Sequence, residues 1–209
     1  MGNESSLIGN NLVSFAEGIA PALKADIMDC LLFAQVCADD KYQRSAQWKL
    51  WIEKYQKVIF NNGSSLSGAI DPLQVTIKRL RQVRDIRLRG TATSPELQRM
   101  LQSSFDQLMD SDHAKTFFST WFTSGRSESF QVVPCQSDGQ GGATILVCGL
   151  QMTTREVGSG LFFWQIINGE MTVRANGASF RFTGAGYAPF RNAIQDALAE
   201  RAQRQIIDL

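Results

Sequence analysis

His113 is the one histidine among 209 residues, so a Ser-His-Asp relay, a Cys-His pair or a histidine-bearing metal site would have to pass through it. It stands in a polar stretch, Ser111-Asp112-His113-Ala114-Lys115, beside a helix junction. That is the setting of a solvent-facing or capping histidine. A zinc site would draw on cysteines at knuckle spacing, and Cys30, Cys37, Cys135 and Cys148 contain no CxxC pair. Cys30 and Cys37 lie seven apart in a helical pattern, about 10 Å along the axis, too far for a disulfide. Cys135 and Cys148 fall in neighbouring strands and could meet, although buried free thiols are the commoner fate. Free thiols point to a reducing compartment. No metal ligand set and no cofactor follow from these residues.

Two glycine-rich stretches, Gly139-Gln140-Gly141-Gly142 and Gly184-Ala185-Gly186, have the backbone freedom to cradle a phosphate, and the second precedes a helix. Neither carries the P-loop lysine or a full GxGxxG within a βαβ unit. Both read first as turns. The carboxylate pairs Asp39-Asp40 and Asp110/Asp112 sit at helix ends, where they are expected to stabilise a helix N-terminus through its dipole. The inventory yields no catalytic centre, and the chain reads as non-enzymatic. Its first six residues, MGNESS, fit the N-myristoylation pattern on Gly2. The basic cluster or second acyl site that stable anchoring requires is missing beside them.

The one strongly polarised stretch holds Lys78, Arg79, Arg81, Arg84, Arg87 and Arg89 against Asp85 alone. Such a run can bind a polyanion, either a nucleic-acid backbone or an anionic membrane face. The competing reading is a solvated helix face paired with acidic neighbours, which the rest of the front half supplies. Base stacking would call for aromatic residues among the cations. None interleave, so nucleic acid is the weaker form of the polyanion reading.

The elements that must position these residues divide at about residue 125. Residues 1–125 read as helical. Ser5 to Ile19 carries Leu7, Ile8, Leu12, Phe15 and Ile19 at helical spacing, and Pro21 opens a second helix through Leu23, Ile27, Leu31 and Ala34. Asp39 or Asp40 caps a third helix to Phe60, with Trp48, Trp51, Ile52, Tyr55 and Ile59 inward. Asn61 to Gly68 is a loop. Asp71-Pro72 starts a helix that carries the basic run to Gly90, and Ser94-Pro95-Glu96 starts another. Phe117, Phe118, Trp121 and Phe122 close the helical part.

Residues 126–209 change period. Phe130 and Val132 before Pro134 predict an edge strand, since proline cannot donate to a ladder. Ala143 to Val157 forms a second strand, and the apolar run Leu161 to Ile167 a central one. Asn168-Gly169 and Asn176-Gly177 fit type I′ turns and make a meander with Met171, Val173, Phe180 and Phe182. Pro189 to Ile207 forms an amphipathic helix that covers it. The expected class is α+β: a helical N-terminal region, then an antiparallel meander of about four or five strands under a C-terminal helix, packed as one unit.

A net charge of +1, 44% hydrophobic and 20% charged residues are ordinary globular values. No apolar run reaches the ~18–20 residues of a bilayer span, and the N-terminus lacks the pattern of a secretory signal. The order of helices then sheet, with Trp164 to Gly169 (WQIING) as the local feature, resembles the MakC and MakD accessory proteins of a bacterial tripartite α-pore-forming toxin cluster. That resemblance implies a non-enzymatic accessory role, chaperone-like towards a toxin component, and brings no site residues with it. The expectation is a cytoplasmic interaction protein that binds a protein partner through its helical front. The alternative is polyanion binding through residues 78–89.

Overall fold

A computed structural model of the chain describes residues 4–78, 80–91, 94–110, 127–154, 171–201 and 206–208. The class is α+β, as expected, but strands come from both halves of the sequence. The order is β1 (Glu4–Ile8), β2 (Asn11–Phe15), α1 (Pro21–Asp39), α2 (Trp48–Asn61), β3 (Ser65–Ile77), a 3-10 segment (Leu80–Asp85) and α3 (Pro95–Asp110). Then come β4 (Ser127–Ser137), β5 (Gly142–Thr154), β6 (Met171–Thr183), α4 (Gly184–Tyr187), α5 (Arg191–Glu200) and β7 (Ile206–Asp208). All the described strands join one sheet, in the order β3-β6-β5-β4-β2-β1-β7. Every pairing is antiparallel except β2 with β4.

Helices cover both faces. On one, α1, α2 and α5 pack over Val13, Phe15, Val133, Cys135, Ile145, Val147, Phe180 and Phe182. On the other, α3 and the 3-10 segment pack over Leu12, Phe130, Val132, Leu150, Met152 and Val173. Strand side chains alternate between the two layers, as a sheet buried on both faces requires.

Several sequence expectations give way here. Ser5 to Ile19 is not a helix but the hairpin β1–β2, turned at Gly9-Asn10 with Gly9 at φ 57°. A Gly-Asn pair between short apolar runs is a hairpin signal, and the helical spacing of Leu7, Leu12 and Phe15 is coincidental. The helix expected after Asp71-Pro72 is likewise the strand β3, in which Leu73, Val75 and Ile77 alternate at period two. Pro72 sits where the β3–β6 register shifts, between Ile70 and Leu73, on an edge strand that needs no N–H from it. Asn61 to Gly68 is only partly a loop, since β3 begins at Ser65. Asp39 and Asp40 finish α1 and do not open α2; Asp39 accepts from the Trp51 indole at 2.7 Å.

In the second half, Pro134 lies in an internal strand, opposite Ser14 of β2, where the β4–β5 ladder skips Val133 and Pro134. Asn176-Gly177 makes no turn, and β6 runs straight through it. Gly177 is there for a different reason. A Cβ at that position would lie 1.9 Å from the Val147 carbonyl oxygen, so only glycine lets β5 and β6 approach. The C-terminal helix ends at Glu200, and Ile206 belongs to β7. The helix at Pro95 forms as expected, capped by Ser94 Oγ, which accepts from the Leu97 amide at 3.1 Å. Leu161–Ile167, Asn168-Gly169, Phe117–Phe122, His113 and Gly2 lie outside the described residues.

Candidate functional site

The basic segment leaves the end of β3 and folds back along its outer edge. The Lys78 amide bonds to Gln82 Oε1 at 2.8 Å, and the chain tightens into the 3-10 turn. Val83 and Leu88, 2% and 5% exposed, pin it to the α3 layer, and the Leu88 carbonyl accepts from Gln98 Nε2 at 2.6 Å. The Asp71 amide then bonds to the Arg89 carbonyl at 2.8 Å, and Gly90 bridges Ile70. A Cβ on Gly90 would meet the Ala69 carbonyl oxygen at 2.2 Å, and its φ of 129° also calls for glycine. The segment is thus held by its backbone and its apolar residues, which leaves Lys78, Arg84, Arg87 and Arg89 facing outward.

Lys78, Arg84, Arg87 and Arg89 are exposed. Arg84 is the one with acidic partners: Asp106 of α3 at 3.1 Å and Asp85 at 3.6 Å. The hydrogen bond and charge of Asp106 raise its guanidinium further above its usual range. Lys78, Arg87 and Arg89 have no ion pair among the described residues. Arg79 lies outside the described residues; Arg81 contributes its backbone to the 3-10 turn, and its side chain lies outside them too. Among the described residues, the acidic neighbours that a solvated face calls for are found at Arg84.

The other sequence candidates resolve into structure. The amides of Gln140 and Gly142 close on Asp138 Oδ1 at 2.8 and 2.9 Å, so the first glycine loop cradles a carboxylate of its own chain. Together with the Arg181 guanidinium, they hold that carboxyl below its usual range. Thr183 Oγ1 caps the Gly186 amide at 3.1 Å, and Gly186 packs so closely on Gly63 that a Cβ would lie 2.4 Å from its carbonyl oxygen. Cys135 and Cys148 point to opposite faces of the sheet and do not meet, and all four thiols are free. Burial pushes the Cys148 thiol up to about 12. Among the described residues no group of three or more His, Cys, Asp or Glu side chains could hold a metal, and no helix is long and apolar enough to cross a membrane.

No family model and no curated protein matches the sequence. Solved structures do match in shape. A delta-endotoxin superposes with a TM-score of 0.50 at 10% identity, over 84% of this chain and 82% of its own. The Evf virulence factor follows at 0.43 and 11%, over 93% and 82%. The activated Cyt2Ba monomer from Bacillus thuringiensis subsp. israelensis gives 0.40 and 12%, over 82% and 96%. The chain therefore has the fold of a delta-endotoxin, and identity this low establishes the fold alone. This overturns the resemblance to MakC and MakD. The helices-then-sheet order that carried it does not exist, because β1, β2 and β3 precede or interleave with the helices. The chaperone-like accessory role and the cytoplasmic assignment fall with that resemblance.

Proposed function

We propose that this protein is membrane-acting and toxin-like, that it meets an anionic lipid surface through the basic segment Lys78–Arg89, and that it works without a catalytic centre. The shared fold with a delta-endotoxin is the observation that carries this reading. The charge supports it independently. Arg87 and Arg89 are exposed and lack acidic partners among the described residues, on a segment fixed along the sheet's edge strand. Each such cation gains about 1 kcal/mol near an anionic membrane surface. The large apolar side chains exposed among the described residues are Leu50, Phe60 and Leu66. First contact in this conformation is therefore electrostatic, and any deeper insertion follows a rearrangement of the layers.

The test is binding to, and dye release from, phosphatidylcholine vesicles with and without phosphatidylserine. Binding should require phosphatidylserine and weaken with salt. The double variant R87Q/R89Q should bind roughly 30-fold more weakly, the equivalent of about 2 kcal/mol. Absence of binding and release with both vesicle types would sink the reading. Release that ignores both salt and the arginines would leave the membrane role and remove the basic segment from it.

A further inference from the structure

The face of the sheet under α1 and α2 changes character along the strands. Its apolar floor of Phe180, Ile145 and Val133 gives way to two polar rows that cross several strands. Strand register sets Gln74 beside Arg174, Arg174 beside Gln151, and Gln151 beside Ser129. The adjoining row runs Asn176, Gly149, Gln131, Asn11. Residues two apart in a strand share a face, so both rows lie in the layer of α2. Part of this band has no hydrogen-bond partner among the described residues. Gln131 is fully buried with both amide atoms unpaired, and Ser129 Oγ is buried and unpaired as well. Buried polar groups are normally satisfied; Gln131 and Ser129 depart from that, whereas Asn11 in the same band is bonded to Gln35 and Tyr55, and Arg174 to Gln74.

At the open end of the band, the first turn of α2 stands over Arg174 and Asn176 and borders an open cavity of about 610 Å³. That is within the range of small-molecule sites. Its polar wall includes Gln47 and Lys49 from the start of the helix and Gln74, Gln151, Arg174 and Asn176 from the sheet, with Gln74 Oε1 accepting from Arg174 Nε at 3.0 Å. Among the described residues, two cations and no carboxylate line it. Gln47 gives no side-chain cap to α2, so the first-turn amides are left to other acceptors, and the positive end of the helix lies here. Trp48 is 7% exposed, and its indole N–H has no acceptor among the described residues. Leu50, Pro72 and Leu73 add apolar surface, with Leu50 45% exposed.

We propose that this cavity binds a phosphorylated polyol, presented as the headgroup of an anionic glycerophospholipid. The phosphate lies against Lys49, Arg174 and the α2 amides, where charge-assisted bonds are strongest. The hydroxyls meet the side-chain amides of Gln47, Gln151 and Asn176, and the glycerol and first methylenes pass over Leu50 and Leu73. The lipid form of the ligand rests on the membrane reading above; the phosphate site does not.

Calorimetric titration of the full chain with dihexanoylphosphatidylglycerol below its micelle concentration tests this, with glycerol 3-phosphate as the second probe. The lipid should bind more tightly than glycerol phosphate. R174Q and K49Q, both at exposed positions, should each weaken it roughly tenfold, about the effect of one charge-assisted hydrogen bond, with unchanged circular dichroism. Absence of lipid binding, or binding unaltered in both variants, would overturn the site. Equal affinity for glycerol 3-phosphate would overturn the lipid assignment. Vesicle release without binding at the cavity would remove this site alone, whereas cavity binding without any vesicle release would remove the membrane reading alone.

Discussion

On the α3 side of the sheet, Phe130, Val132, Leu150 and Met152 form an apolar floor, and Phe105 of the helix stacks on Phe130 at 6.4 Å between ring centroids. The polar contacts between α3 and the sheet include Ser104 Oγ to Ser14 Oγ at 2.7 Å, Gln136 Nε2 donating to Glu96 Oε2 at 2.7 Å, and Ser5 Oγ donating to Gln107. The α1–α2 side is held differently. Asn11 donates to Gln35 Oε1 at 3.0 Å and accepts from the Tyr55 hydroxyl at 2.7 Å, deep under both helices. Helix α5 buries only Ile194 and Leu198 in this layer. The rest of its attachment to α1 is polar: Arg191 grips Asp26 through two bonds of 2.7 Å, Gln195 reaches Asp29 at 3.2 Å, and Arg201 reaches Asp40 at 2.8 Å. Apolar contact holds regardless of salt, whereas ion pairs are screened by it. The attachment of α5 is therefore the salt-sensitive part of this cover, whereas α1 and α2 rest on an apolar floor of their own.

The contrast is open to direct attack. The largest effect belongs to the apolar side, where Phe105→Ala should cost about 3–5 kcal/mol in urea unfolding. A loss below about 1 kcal/mol would show that α3 is not anchored by this floor. Next comes Tyr55→Phe, which leaves Asn11 Oδ1 short of its donor in a buried network and should cost about 1–3 kcal/mol. An unchanged unfolding midpoint would mean that the network carries no stability. Smaller and local is Arg191→Gln. It should speed amide hydrogen exchange in α5 about tenfold, the scale of one charge-assisted bond, while α3 amides stay as they were. Equal acceleration in both helices would erase the distinction between the covers.

The sequence made the helices at Pro21 and Pro95 legible because each combines a proline at the first helical position with a clean apolar stripe. It hid β1, β2 and β3 for two reasons. Short strands buried on both faces lose the polar–apolar alternation that marks a strand, so Leu7, Ile8, Leu12 and Val13 read equally well as helix. Pro72 imitated a helix start when it was marking a bulge on an edge strand. Gly177 shows the same ambiguity in reverse, since Asn-Gly signals a turn and close strand packing also demands glycine. The basic run was visible as charge, but its geometry was not. Its outward display depends on Val83, Leu88 and Gly90, which look unremarkable in a list. The polar rows were legible only as residues: Ser129, Gln131 and Gln151 alternate with Phe130, Val132, Leu150 and Met152, the pattern of a solvated face. Long-range packing of α2 put part of that face under cover, and nothing local in the sequence records it.

The smallest effect sharpens the comparison at the rim, where the β4–β5 turn carries a carboxylate held by backbone and not by a helix. Asp138 accepts from the Gln140 and Gly142 amides and from Arg181 Nε at 3.0 Å. These bonds favour the ionised form and lower its pKa from the ordinary 3.8. A carboxyl depressed in the folded state binds fewer protons there than in the unfolded chain. Its contribution is therefore complete above 3.8 and is lost as the pH falls through the lower folded value. The difference in melting temperature between the wild type and Asp138→Asn should be small and constant near neutrality, then close as the solution is acidified below that point. A gap that persisted in strong acid would show that the turn owes its stability to glycine conformation alone, with the Asp138 charge contributing nothing.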